Sequence, residues 1–205
     1  MFDAREPEII PTDQISRLRQ ELDRISSVLS QLVPGLAIGL KEISETLDRD
    51  GNSAMVTMLT AYRNGKELPL RDESDGVRKI ISVLSLIIAA FNEQSVTVAI
   101  DEFDAGIFEY LLGEILQAME ESGKGQFIFT SHNLRPLEVI DKKFLYFTTT
   151  NPHNRYIKLK NIAATNNLRD TYFREIVLCE QEEEIYKKTK RFKIIAALKK
   201  AGGMQ

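Results

Sequence analysis

The 205 residues include 27 Lys and Arg against 30 Asp and Glu, for a formal net charge of −3, and 43% of them are hydrophobic. These values exclude wholesale disorder and a strongly basic nucleic-acid footprint over the whole chain. The single cysteine, Cys179, excludes an internal disulfide, and no Cys/His cluster has zinc-ligand spacing. The N-terminus lacks an apolar signal core, and the longest apolar run, residues 83–91, is too short to span a bilayer. We therefore expect a cytoplasmic protein with no membrane partner.

A polar arm and a helix form the first predicted segment, residues 1–35. Thr12 or Asp13 is expected to cap the helix, and Pro34-Gly35 to end it. Apolar residues recur between these points at alternating spacings of three and four: Ile15, Leu18, Leu22, Ile25, Leu29 and Leu32. This seam resembles a coiled coil but spans fewer than three heptads. Two interpretations therefore stay open, a helix packed on its own domain and an arm that contacts a partner.

Residues 36–72 are predicted to be rich in β-structure. Residues 55–62 divide into two alternating sets, as the two faces of a strand would, and the Asn64-Gly65 that follows is a strong signal for a hairpin turn. Pro69 in the return segment indicates an edge strand. Apolar residues at helical spacing then predict a well-buried helix over residues 75–92.

Strands and helices alternate over the predicted third segment, residues 73–165. Residues 96–100 and 126–130 are short apolar runs, which we expect to form strands covered on both faces, with a helix between them over residues 108–122. This rhythm favours an α/β fold with parallel crossovers. The remaining elements expected are a short helix, two strands and, in the segment 166–205, a helical tail: residues 137–140, 144–149, 156–159 and 167–201.

Two adjacent carboxylates, Asp101 and Glu102, directly follow the first of these strands. Ligands in open α/β sheets bind beyond the carboxyl ends of the strands, and unpaired carboxylates leaving a buried strand are costly. A magnesium ion would pair with one carboxylate while the other polarises an attacking water. The alternative is that acidic residues simply end a strand, as polar residues often do.

Two further motifs make that alternative less favourable. Ser131-His132 ends the second strand, where a histidine can hydrogen-bond a γ-phosphate or the attacking water. Residues 73–76, Glu-Ser-Asp-Gly, precede the buried helix, and a serine, a glycine and a helix N-terminus together suit an anion. Ser and Asp are also ordinary helix caps. The joint order of the three motifs therefore carries the hypothesis.

In combination these residues resemble the ABC-type ATPases of the RecF/SMC/OLD-like group, often labelled AAA family ATPases, over roughly residues 66–150. The resemblance implies that residues 73–76 are the signature motif, with Ser74 and Gly76 binding nucleotide in trans. It implies that Asp101 is the Walker B aspartate on the metal side and that Glu102 is the catalytic base. His132 would be the switch histidine that senses phosphate, and Asp104, in the D-loop, would contact a second head.

The same resemblance implies a fold class and a set of partners. The fold would be the C-terminal lobe of a P-loop ABC-type ATPase head, with a mostly parallel sheet flanked by helices. Two heads of such a dimer sandwich ATP, with Mg²⁺ as cofactor, and nucleic acid enters only by family analogy. Asp75 stands where many members carry glycine, and an acidic side chain beside a phosphate is unfavourable unless it points away or caps the helix.

The phosphate-binding loop of this family, Gly-x-x-x-x-Gly-Lys-Ser/Thr, does not occur in the sequence. The Gly-Lys pairs present, Gly65-Lys66 and Gly123-Lys124, are not followed by Ser or Thr. Because the loop lies N-terminal to the other motifs in this family, we expect the chain to be the C-terminal part of a longer ATPase. We also expect it to need a missing segment or subunit, and to hydrolyse almost no ATP alone.

Two other functions are weighed against the ATPase. The chain could be a non-catalytic interaction or regulatory module that docks on a complete ATPase or an effector. The dense lysines and arginines of residues 187–200 could also bind nucleic acid, but acidic residues 180–184 precede them, so a solvated helical face is the better interpretation.

Overall fold

The computed structural model describes residues 6–158, 168–178, 183–187 and 189–203. Cys179 and parts of the predicted tail lie outside the described residues. The chain divides into two compact units, an N-terminal unit that ends at Asn133 and a C-terminal unit that begins at Leu134. In the described part of the chain, no helix is long and apolar enough to cross a membrane.

The largest sheet of the N-terminal unit has four strands, all paired antiparallel in the order β1-β3-β2, with β4 also on β3. The strands are β1 (Glu8–Pro11), β2 (Leu36–Leu47), β3 (Ser53–Arg63) and β4 (Lys66–Pro69). Asn64 and Gly65 have φ values of 52° and 75°, as a tight two-residue hairpin turn requires. The predicted hairpin is confirmed, and β4 lies at an edge, as Pro69 indicated.

Helix α1 (Thr12–Leu32) packs against β2 and buries most of the predicted seam: Ile15, Leu18, Leu22 and Leu29. Of the two interpretations of this seam, packing on its own unit is therefore the one observed. The predicted cap is wrong. Pro11 occupies the N-cap position, and the Thr12 hydroxyl oxygen lies 3.0 Å from that of Ser53, because the helix already includes Thr12.

A strand–helix–strand crossover follows the antiparallel sheet. Helix α2 (Asp75–Asn92) has the predicted limits, and β5 (Thr97–Ile100), α3 (Glu109–Ser122) and β6 (Gln126–Phe129) come after it. Strands β5 and β6 pair in parallel, as the rhythm of the sequence indicated. The apolar face of α2 is buried in the core: Ile80, Val83, Leu84, Ile87 and Ala90.

Two expectations about these sheets are corrected. The mostly parallel sheet is not found, since parallel pairing among the described residues is confined to β5 and β6. The reason lies in the hairpin connections of residues 48–52 and 64–65, which are too short for a parallel crossover. The predicted cover on both faces of β5 is also wrong. Val98 and Ile100 are buried, but Thr97 and Ala99 between them are exposed.

The C-terminal unit contains shorter strands than predicted, and they pair antiparallel: β7 (Phe147–Thr148) and β8 (Tyr156–Ile157). Its helices are α4 (Pro136–Val139), α5 (Leu168–Leu178) and α6 (Arg191–Ala201). The Glu138 carboxylate accepts hydrogen bonds from Arg169 and Arg135, at 2.9 and 2.8 Å, and these two partners lower its pKa. Of the predicted helical tail, α5 and α6 confirm a helix near each end, whereas residues 183–187 are not helical.

Truncation of Leu29 tests the packing of α1 on the sheet. Leu29 is fully buried, so Leu29→Ala should lower the free energy of unfolding by about 2–5 kcal/mol through lost burial and a residual cavity. Leu86→Ala is the matched control, since Leu86 lies on another helix with 43% of its surface exposed. Urea denaturation measures both. Equal losses for the two variants would contradict the described packing of α1.

Candidate functional site

The candidate site is built from two turns that follow the paired strands β5 and β6. We call residues 101–107 the carboxylate turn and residues 130–133 the histidine turn. Backbone pairing continues past the strand ends into both turns, from Thr130 N–H to Ile100 C=O at 3.1 Å and from Phe103 N–H to Thr130 C=O at 3.0 Å. Because the strands are parallel, both turns leave the sheet at the same edge.

This shared edge brings Glu102 and His132 together. Glu102 Oε1 lies 3.9 Å from His132 Nε2. The two side chains are 62% and 87% exposed, respectively, so burial does not hold either of them in place. Two side chains separated by thirty positions in the sequence are therefore juxtaposed by the β5–β6 pairing.

Thr130 joins the histidine turn to the carboxylates. Its hydroxyl donates to the Asp101 carboxylate and accepts the Glu102 N–H at 2.8 Å. Glu102 has a φ of 48°, a left-handed conformation that non-glycine residues rarely adopt. Thr130 is not among the site residues predicted from the sequence. The signal that could have found it is the strand register, since Ile100 pairs with Phe129 and the next position on each strand is Asp101 and Thr130.

Asp104, in the carboxylate turn, hydrogen-bonds to the backbone of the histidine turn. Its carboxylate accepts the His132 N–H, with both oxygens at 3.2 Å, and the Asn133 N–H at 2.9 Å. The structure thus places this side chain against the histidine turn of its own chain. Its role as a contact to a second head stays a prediction.

Phe103 anchors the carboxylate turn in the core of the N-terminal unit. It is fully buried between two exposed or partly exposed acidic residues, and its ring packs edge-on against Phe127 at 5.2 Å and Phe129 at 5.8 Å between centroids. No role for Phe103 is predicted from the sequence patterns above. The signal that could have found it is an aromatic side chain placed between two acidic residues, Glu102 and Asp104.

The signature-like segment also contacts the carboxylate turn. Gly76 packs backbone to backbone on Gly106, so that a Cβ on Gly76 would lie 1.9 Å from Gly106 O. Gly106 has a φ of 76°, which glycine adopts without strain. The structure therefore brings the start of α2 to the turn that carries Asp101, Glu102 and Asp104, and any side chain at position 76 would disturb this contact.

Ser74 and Asp75 lie at the beginning of α2. The Ser74 hydroxyl accepts the Val77 N–H at 3.4 Å and so caps the helix. Asp75 is exposed and forms an ion pair with Arg78, one turn further along the helix. This pairing offsets the negative charge of Asp75.

The residues at the carboxylate turn fit a magnesium ion. One oxygen of Asp101 accepts from Thr130, which orients the carboxylate and leaves the other oxygen available. Mg²⁺ is usually held by one or two carboxylates together with water and phosphate oxygens. Among the described residues, no group of three or more His, Cys, Asp or Glu could hold a metal ion by itself. The metal would therefore need ligands from a nucleotide as well.

A family model described as "AAA domain, putative AbiEii toxin, Type IV TA system" matches residues 6–138, more than half of the chain. The chain belongs to this family, and the resemblance noted in the sequence is confirmed.

A solved structure shows a similar fold. A structure described as "Structural biochemistry of ATP-driven dimerization and DNA stimulated activation of SMC ATPases" matches with a TM-score of 0.51 and 14% identity, over 82% of this chain and 98% of that one. A crystal structure of the SmcHead bound to the C-winged helix domain of ScpA matches with a TM-score of 0.45 and 18% identity, over 58% of this chain. This chain spans 36% of that SmcHead chain. No curated protein matches.

Removal of the Phe103 ring tests how the carboxylate turn is anchored. Phe103→Ala should cost about 3–5 kcal/mol of unfolding free energy, because a fully buried ring with two aromatic neighbours is lost. Phe108→Ala, at a residue that is 74% exposed, should change stability by about 0.5 kcal/mol or less. Thermal and urea unfolding measure both variants. A Phe103 variant as stable as the Phe108 variant would contradict the anchor.

Proposed function

We propose that the chain supplies the catalytic carboxylates and the switch histidine of a composite ABC-type ATPase head, which hydrolyses ATP between two heads. The observation that carries this proposal is the Glu102–His132 pair, 3.9 Å apart at the ends of adjacent parallel strands. In this proposal Asp101 binds Mg²⁺, Glu102 is the general base and His132 contacts the γ-phosphate. Ser74 and Gly76 face the nucleotide of the second head, and Asp104 contributes to the head contact.

Glu102 has the exposure and the neighbour that a general base for water requires. Its carboxylate extends from the end of β5 and is 62% exposed, with one oxygen 3.9 Å from the imidazole of His132, so the other oxygen can accept a proton from an attacking water. His132 Nε2 is near enough to orient the same water or a phosphate oxygen beside it. A second head closing over this exposed edge would exclude bulk water and strengthen both interactions.

The acidic character of the turn explains why the metal belongs to the proposal. Asp101, Glu102 and Asp104 place three carboxylates within four residues, which would repel the phosphates of ATP. Asp104 is occupied by two backbone N–H groups and Asp101 by the Thr130 hydroxyl. Mg²⁺ would supply the positive charge that brings a triphosphate to this edge.

These 205 residues contain no phosphate loop, so the proposal includes a partner that supplies one. Most of the catalysis of phosphoryl transfer comes from positioning and charge neutralisation of the phosphates, which the loop and its lysine perform. We therefore propose that a loop-bearing segment or subunit binds the nucleotide, and that the isolated chain turns over ATP negligibly.

The experiment measures phosphate release by the chain alone and after addition of the loop-bearing N-terminal segment of a longer family member. Turnover is expected only in the mixture. Glu102→Gln should lower kcat by about 100-fold or more, because the amide cannot accept the proton, while ATP remains bound. Glu114→Gln is the matched control, since Glu114 is an exposed glutamate on α3.

Each outcome distinguishes the candidate functions. Turnover by the chain alone at the rate of the mixture would refute the role given to the missing loop. If the mixture assembles and Glu102→Gln leaves both its assembly and its turnover unchanged, the chain is a docking module and not a catalytic one.

A further inference from the structure

The structure assigns a positioning role to Thr130 and Asp104, which together lock the Glu102 base and His132 into one unit. We call their contacts the reciprocal clasp: the Thr130 side chain binds the carboxylate turn, and the Asp104 side chain binds the histidine turn. What the locked pair does rests on the function proposed above. The clasp itself rests only on hydrogen bonds within the N-terminal unit.

The Thr130 half of the clasp fixes the backbone of the base. The hydroxyl is saturated in both directions, because it accepts the Glu102 N–H at 2.8 Å and donates to the Asp101 carboxylate. The acceptor side holds the Glu102 backbone in its left-handed conformation, with φ at 48°. The donor side turns one oxygen of Asp101 toward the sheet. A single hydroxyl thus sets the direction of both carboxylates.

The Asp104 half fixes the backbone of the histidine. Two consecutive N–H groups, those of His132 and Asn133, converge on one carboxylate, which is a charge-assisted arrangement and stronger than a neutral one. The Asn133 N–H also donates to Ser131 Oγ at 3.0 Å, so the His132 amide depends more on Asp104 than the Asn133 amide does. The arrangement leaves the imidazole of His132 exposed but sets the direction in which its Cα–Cβ bond points. The backbone at Asp104 is held in position, because the neighbouring Phe103 is buried in the core.

The two turns are coupled because each supplies a side chain that binds the backbone of the other. Each clasp side chain belongs to one turn and binds the main chain of the other, so neither turn can move without breaking hydrogen bonds of both halves. The functional side chains have no comparable support, since Glu102 and His132 are mostly exposed and 3.9 Å apart. Productive catalytic geometry requires positions held to about 0.5 Å, and the clasp adds side-chain hydrogen bonds to the backbone pairing that joins the two turns.

The first test uses the 205-residue chain alone and needs no activity. Amide hydrogen exchange followed by NMR should show that Thr130→Val speeds exchange of the Glu102 amide by about tenfold, the effect of losing roughly one hydrogen bond. The His132 and Asn133 amides should also exchange faster, although Thr130 does not touch them. Asp104→Ala removes an acceptor of the His132 and Asn133 amides, which should exchange faster. The Glu102 amide, whose acceptor is Thr130, should also exchange faster.

Two variants serve as controls in this test. Thr130→Ser keeps the hydroxyl and should restore slow exchange at all three amides. Thr97→Val removes a hydroxyl from the other end of the same strand pair, where it lies 3.4 Å from Gln126 Oε1, and should leave the three amides unchanged. If Thr130→Val changes the Glu102 amide alone, or changes nothing, the clasp is overturned.

The second test measures phosphate release in the mixture with the loop-bearing segment. Thr130→Val should lower kcat by about tenfold with little change in the KM for ATP, and Thr130→Ser should recover the rate. An unchanged kcat in Thr130→Val, beside a large loss in Glu102→Gln, would overturn the positioning role. If Glu102→Gln has no effect while the exchange pattern appears as expected, the proposed function fails and the clasp stands.

Discussion

The arrangement of this site depends on the parallel pairing of β5 with β6. Pairing continues beyond the strand ends, where the Thr130 N–H donates to the Ile100 carbonyl and the Phe103 N–H donates to the Thr130 carbonyl. The two turns therefore begin from a common, hydrogen-bonded base. Glu102 and His132 need no direct contact with the core, because the direction of each is set by main chain that the sheet has already fixed.

Close packing then joins the other parts of the site to this base. Phe103 is buried against the two phenylalanines of β6, and Gly106 is in backbone contact with Gly76 at the start of α2. A short turn thus contacts the strand pair on one side and the signature-like helix start on the other. In the two-head assembly proposed above, this contact would connect the groups proposed to act on the chain's own nucleotide with those proposed to face the partner's.

Sequence patterns predicted the elements whose signals are local. The limits of α2 were given correctly by its apolar periodicity, and the β3–β4 hairpin by Asn64-Gly65, because both depend on neighbouring residues. The predicted cap of α1 and the cover on both faces of β5 were wrong. Whether a face is covered depends on elements distant in the sequence, and an apolar run of four or five residues carries no information about them.

The candidate site also combines features with local sequence signals and features that depend on contacts between distant residues. The sequence alone singled out residues that we propose carry the chemistry: Asp101, Glu102, His132, Ser74 and Gly76 stand out because their residue types and their order follow strand ends and a helix start. It also determined that no phosphate loop is present in these residues. Only the tertiary structure decided that Thr130 and Asp104 bind across the two turns, that Phe103 anchors them and that Gly76 meets Gly106. The physical reason is that these contacts depend on the register of β5 against β6 and on distances of a few ångströms, which no pattern along one chain records.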